Sequence, residues 1–138
     1  MNINTAIIEG SKFLKKNCIN RPGLDSEILL AKVLKKKREY IILNLDKKIK
    51  DINLKIYKNL IKQRSLGKPI AYLTKKKNFW NSEFKVNEGV LIPRPDTEIL
   101  IEETLKIFKN KDYANILDIG VGSGCIILSI LREKPGFY

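Results

Sequence analysis

The chain has 138 residues, 43% of them apolar and 30% charged, which suits a packed core and excludes a disordered tail. It carries 27 Lys and Arg against 15 Asp and Glu, a formal charge of +12, and no histidine, so a Ser-His-Asp triad or a His-ligated zinc is excluded within these residues. Cys18 and Cys125 lie far apart without CxxC spacing, so neither a disulfide scaffold nor a metal site is expected. No secretory leader is read at the N-terminus. The longest apolar-rich run, Cys125 to Leu131, is too short to cross a bilayer. The expectation is a cytoplasmic protein without a membrane or metal partner.

The positive charge is unevenly placed. Met1 to Ile70 hold 17 basic and 6 acidic residues, whereas Pro93 to Tyr138 hold 6 and 7. Such a surface suits nucleic acid or an acidic partner. The blander reading is compositional drift, since 22 of the 27 basic residues are lysine. Lysines scattered on helix faces are commonly just solvated, and that reading is preferred. Neither Lys35-Lys36-Lys37-Arg38 nor Lys75-Lys76-Lys77 is interleaved with aromatics, so direct nucleic-acid binding is not expected.

In chain order, Asn2 to Lys16 reads as a helix with Ile3, Ala6, Ile7, Phe13 and Leu14 on its apolar face. After the loop Asn20-Arg21-Pro22-Gly23, Leu24 to Lys36 reads as a second helix. Its core face is either Leu24, Ile28, Ala31 and Leu34, or Leu29 and Val33. Glu39 to Leu45 is a short apolar helix. Asp51 to Leu66 is a fourth, with Asp51 as N-cap and an end at Gly67 before Pro69. Its apolar residues are Leu54, Tyr57, Leu60 and Ile61. Together these make a small basic helical bundle.

The pattern then changes. Asn78-Phe79-Trp80 and Phe84-Lys85-Val86 flank Asn81-Ser82-Glu83 and read as a β-hairpin. Phe79 and Trp80 fit its packing face better than base stacking. A helix should start near Pro95 or Asp96, because proline suits the first helical position and Asp96 and Glu98 suit the positive end of the dipole. Its apolar positions are Ile99, Leu100, Leu105 and Ile107 or Phe108. Asn115 to Ile119 reads as a strand, Gly120 to Gly124 as a turn, and Cys125 to Glu133 as a helix broken by Pro135-Gly136. Cys125 reads as a core residue.

The turn is the sharpest local signal. Three alternating glycines let the backbone turn tightly and let a bulky ligand approach the main chain and the helix N-terminus. An ordinary strand-to-helix turn is the alternative. A dinucleotide fingerprint counted from Gly120 would place its third glycine at Cys125, and a P-loop would end in Gly-Lys-Ser/Thr. Neither fits. Asp118 followed by Gly120, Gly122 and Gly124 resembles the cofactor turn of class I S-adenosylmethionine methyltransferases. The resemblance implies S-adenosyl-L-methionine as cofactor, with Asp118, Gly120, Val121, Gly122, Ser123 and Gly124 around it.

A longer stretch carries a closer resemblance. It runs from Gln63-Arg64-Ser65-Leu66-Gly67-Lys68-Pro69-Ile70-Ala71-Tyr72-Leu73-Thr74 through the hairpin to Gly89-Val90-Leu91-Ile92-Pro93-Arg94-Pro95-Asp96-Thr97-Glu98. In order and spacing this is similar to the peptide chain release factor N5-glutamine methyltransferases. Asp25-Ser26-Glu27-Ile28-Leu29-Leu30-Ala31 resembles their helical N-terminal domain. Pro95 after Arg94 favours the release-factor branch over a sister family that methylates a ribosomal protein.

The resemblance implies methyl transfer to the glutamine amide of the Gly-Gly-Gln motif, with class I release factors as partners. It puts Pro93 and Arg94 near the active-site entrance, although Arg94 reads equally as a surface arginine. Asp96 and Glu98 read as helix-start residues rather than catalytic acids.

The family's Asn-Pro-Pro-Tyr loop does not occur in these 138 residues, so no catalytic residue is assigned and inactivity alone is expected. A gene fragment or half of a split enzyme is the expectation. The fold class expected is α/β: a helical bundle over 1–67, a hairpin linker over 68–92, and the start of a Rossmann-like methyltransferase domain over 93–138. That start comprises the first strand and its flanking helices. The functional alternatives are a basic, non-catalytic module for RNA or a ribosome-associated protein, and a methyl-donor scaffold with another substrate.

Overall fold

A computed structural model describes residues 1–138, which divide into two compact units, Met1–Thr74 and Lys75–Tyr138. Each has its own hydrophobic core. No helix is long and apolar enough to cross a membrane, and no group of three or more acidic, Cys or His side chains could hold a metal ion.

The first unit is helical. Its elements are α1 (Ile3–Lys16), α2 (Pro22–Leu34), α3 (Arg38–Leu43), α4 (Asp51–Ser65) and α5 (Ile70–Thr74). Asn2 caps α1 by accepting the Thr5 N–H at 2.8 Å. The residues before α4 tie back to the start of α1. Ile3 and Asn4 donate to the Lys47 and Leu45 carbonyls, and Ile49 donates to Met1. Asp51 is the first residue of α4 rather than its cap. Lys50 holds the cap position with no side-chain bond, so Asp51 acts through its charge at the dipole's positive end.

Helix α1 packs on both α2 and α4. Its buried stripe is Ile3, Ala6, Gly10 and Leu14, a strict three-to-four repeat that leaves Phe13 47% exposed instead of in the core. On α2 the buried residues are Asp25, Ser26, Leu29, Leu30 and Ala31. The two polar positions are there because each has a partner. Arg64 Nε donates to Asp25 Oδ2 at 2.6 Å, and its Nη1 donates to the Lys68 carbonyl at 3.1 Å. Ser26 Oγ lies 3.0 Å from the Ile7 carbonyl and 2.5 Å from the Tyr57 hydroxyl, which lies 3.1 Å from the Ala6 carbonyl. Two hydroxyl hydrogens are thus shared among three contacts in a buried site. Glu27 accepts from Arg38 Nε at 2.6 Å. The Asp25-Ser26-Glu27 sequence therefore clamps α2 to α1, α3 and α4.

The second unit begins with an antiparallel pair, β1 (Lys76–Phe79) and β2 (Ser82–Lys85), in register Phe79↔Ser82 and Lys77↔Phe84. The loop is the two residues Trp80-Asn81, shorter than the sequence suggests, with Trp80 left-handed at φ +51°. Two hydrogen bonds sustain that conformation. The Trp80 N–H donates to Glu98 Oε1 at 2.7 Å, and its indole N–H donates to Glu133 Oε1 at 2.6 Å. A 3₁₀ turn over Pro95–Thr97 leads into α6 (Glu98–Ile107), and α7 spans Cys125–Glu133.

On α6 the core residue is Ile101, with Leu105 and Phe108 packed beside it. Ile99, Leu100 and Ile107 instead face solvent. This core also contains Phe79, Phe84, Cys125, Ile130 and Phe137.

The strand expected over Asn115 to Ile119 is not formed, and the sole sheet is the β1–β2 pair. The chain is mostly helical, without a Rossmann sheet. The physical reason is pairing. The Tyr138 N–H donates to the Ala114 carbonyl at 3.0 Å, and the Ile116 N–H donates to the Tyr138 carbonyl at 2.7 Å. Those two bonds bracket Asn115 in the pattern of a parallel pair, and they are a single rung. Beyond them Leu117 and Ile119 stand 83% and 88% exposed. An apolar β-branched run becomes a strand only where neighbours accept its backbone bonds and cover its side chains.

Candidate functional site

The glycine turn takes the conformation that its composition demands. Gly120, Gly122 and Gly124 have φ of +84°, +54° and +75°, the left-handed region that L side chains resist. A Cβ at Gly120 would meet nothing within 4 Å, and one at Gly122 only the Gly120 carbonyl at 3.8 Å. The space beside these two residues is therefore open. Gly124 caps α7, with its N–H on the Val121 carbonyl at 2.7 Å and its own carbonyl accepting from Leu128. The first N–H groups of α7 lack intrahelical acceptors, as at every helix start.

Two side-chain oxygens at this turn are buried without a hydrogen-bond partner: Asp118 Oδ2 and Ser123 Oγ. Leaving such groups unpaired costs roughly 1–3 kcal/mol each. A ligand that donates hydrogen bonds would repay that cost. Asp118 supplies negative charge, Ser123 a hydroxyl, and the left-handed glycines an approach to the main chain. A cationic ligand with hydroxyl or amine donors fits this set. A diphosphate fits it less well, because Asp118 would repel it.

The structure brings Asp118, Gly120, Val121, Gly122, Ser123 and Gly124 together in one loop. It does not join Pro93 or Arg94 to them by a hydrogen bond or ion pair. Pro93 is buried, and Arg94 is exposed just ahead of the 3₁₀ turn, with its carbonyl accepting from Thr97. Asp96 is exposed. Glu98 has a further role that its place at the start of α6 concealed, since it holds the hairpin tip through Trp80. Cys125 is a buried free thiol at the start of α7.

A concavity in the first unit has no counterpart in the sequence reading. It is a groove of about 450 Å³ lined by α1 and α4, among them Ala6, Gly10, Phe13, Leu54, Tyr57 and Ile61. Two signals could have found it: a glycine in the middle of α1, and an aromatic at Phe13 that falls off the core stripe.

Comparison with known proteins bears on both units. A family model described as "PrmC N-terminal domain" matches residues 5–74. A release factor glutamine methyltransferase of Leptospira interrogans is 44% identical over 129 residues, covering 93% of this chain and 45% of that protein. One from Buchnera aphidicola subsp. Baizongia pistaciae is 43% identical over 134 residues, covering 97% of this chain and 48% of that protein. A bifunctional methyltransferase of Rickettsia conorii is 33% identical over 157 aligned positions, covering 96% of this chain and 30% of that protein. The chain thus spans about half the length, or less, of the curated relatives that it matches.

Proposed function

The chain belongs to the PrmC N-terminal domain family, and from that premise we propose that it forms the N-terminal part of a release factor glutamine methyltransferase. On this reading the whole enzyme methylates the glutamine amide of the Gly-Gly-Gln motif in class I release factors. The bundle recognises the release factor, and 93–138, with the hairpin packed into the same core instead of serving as a link, opens the methyltransferase domain.

S-adenosyl-L-methionine, when bound, supplies an activated methyl on a cationic sulfur. The residues that would hold it are Asp118, Gly120, Val121, Gly122, Ser123 and Gly124. The observation that carries this reading is the pair of orphaned buried oxygens in the same turn as Gly120 and Gly122, two left-handed glycines with open space beside them. The Asp118 carboxylate suits the ligand's positive charge, and Ser123 offers a hydroxyl to its polar groups. Pro93 and Arg94 stand at the entrance on this reading. An amide nitrogen is a poor nucleophile, so the work left to the protein is positioning and electrostatic stabilisation. The 138 residues contain no Asn-Pro-Pro-Tyr, and no catalytic residue is assigned among them.

The test is titration calorimetry with S-adenosylmethionine on the chain joined to the C-terminal half of the Leptospira relative. Gly122→Val should abolish binding. A β-branched residue at φ +54° is strained by roughly 1–2 kcal/mol, and its side chain fills the ligand's approach. Asp118→Asn should weaken binding less, because size and hydrogen bonding survive. Parent-like affinity for Gly122→Val, or equal competition by NADH, would sink the assignment.

A further inference from the structure

The α1–α4 groove combines a glycine that the packing beneath it requires with an exposed aromatic that the packing does not. Gly10 forms part of its floor, in the middle of a helix where alanine would favour the helix by about 1 kcal/mol. The reason lies underneath. A Cβ on Gly10 would sit 2.2 Å from the Tyr57 hydroxyl and 2.8 Å from Ser26 Oγ. Gly10 thus lets α1 approach the buried hydroxyl pair closely. Ala6 and Ile61 lie buried at the bottom of the groove, and Leu54 is half-buried in its lining. Phe13 stands half-exposed on its rim, although an aromatic buried in the core would contribute more stability.

The charged residues on the lining are Glu9, Lys58 and Lys62. Lys55 lies one turn before Lys58, and at helical spacing Lys55, Lys58 and Lys62 form one exposed stripe along α4. None of the three has an acidic partner within ion-pair distance. An apolar slot beside unneutralised ammonium groups suits an apolar anchor carried on an acidic surface. The anchor gains burial and the carboxylates gain cationic neighbours.

We infer that the α1–α4 groove is a protein-docking site for an acidic segment of the release factor that inserts an apolar side chain against Phe13 and Leu54, flanked by Lys58 and Lys62. This rests on the release-factor reading and adds to it the place and chemistry of the contact.

The experiment measures binding of a purified class I release factor to the full 138-residue chain by fluorescence anisotropy. Four proteins are compared: the parent, Phe13→Ala, the double variant Lys58→Glu/Lys62→Glu, and the double variant Lys35→Glu/Lys37→Glu. All substituted side chains are exposed or half-exposed, and circular dichroism verifies that each variant retains its helices. The two double variants change the net charge equally, so they separate a local contact from a general field.

Phe13→Ala and Lys58→Glu/Lys62→Glu should each weaken binding at least ~10-fold, and Lys35→Glu/Lys37→Glu should stay within ~3-fold of the parent. Equal loss in both double variants, with Phe13→Ala like the parent, would overturn the groove and leave the release-factor reading standing. A parent that ignores the release factor but binds a structured RNA with strong salt dependence would overturn both.

Discussion

Gly10 offers the sharpest test of how the bundle is held together. In an exposed helix, Gly→Ala stabilises by about 1 kcal/mol. In this structure the new methyl would lie 2.2 Å from Tyr57 Oη, 2.8 Å from Ser26 Oγ and 3.1 Å from Ile61 Cδ1. The Tyr57 ring is almost fully buried and cannot swing into solvent. It must shift within the core, which strains its hydrogen bonds to Ser26 and the Ala6 carbonyl. Overpacking typically costs 1–3 kcal/mol, and a buried group left unpaired about as much again. Against the helix gain, Gly10→Ala should lose about 1–5 kcal/mol.

Tyr57→Phe removes the nearest colliding atom, so Gly10→Ala in that background should cost about 1–2 kcal/mol less. The four proteins of this double-mutant cycle can be compared by urea unfolding followed through far-ultraviolet circular dichroism. A higher midpoint for Gly10→Ala, or the same cost in both backgrounds, would refute the close-approach argument.

Burial pushes the Tyr57 hydroxyl up from 10.0 to about 12, partly offset by its bond to Ser26. The unfolded chain therefore ionises first as pH rises. The contribution of neutral Tyr57 is fully present below pH 10 and falls by about 2–3 kcal/mol between pH 10 and 12. Urea midpoints across that window should drop more steeply for the parent than for Tyr57→Phe; parallel curves would contradict the burial account. Hydrogen exchange should be fast at the Leu117, Asp118 and Ile119 amides, which have no backbone acceptor, and slow at Tyr57 and Ile61 within α4. Equal protection of the two segments would contradict the unpaired edge.

Helices with a local cause were legible. α1 follows from its apolar repeat, α4 from its apolar repeat and the stop at Gly67, and α7 from the glycine turn that starts it. What failed was non-local. Ile116 to Ile119 has strand composition, but a ladder needs neighbours, and only Tyr138 supplies a rung. The face of α6 is ambiguous in the sequence because Ile99, Leu100, Ile101, Leu105, Ile107 and Phe108 offer overlapping stripes. Packing chose Ile101, Leu105 and Phe108. The short α5 lies in a stretch with no repeat long enough to show a period. At the candidate site the positive φ of three glycines follows from their identity. The orphaned state of Asp118 and Ser123 does not, since hydrogen-bond satisfaction depends on what surrounds each oxygen.

The central claim is that these residues open a release factor glutamine methyltransferase. Joining the chain to the C-terminal half of the Leptospira relative, and supplying labelled S-adenosylmethionine and a class I release factor, tests it most directly. The account predicts label at the Gly-Gly-Gln glutamine with the joined protein, and none with the 138-residue chain alone or with the joined Gly122→Val variant. Label incorporated by the unjoined chain, or none incorporated by a joined protein that folds and binds S-adenosylmethionine, would contradict it.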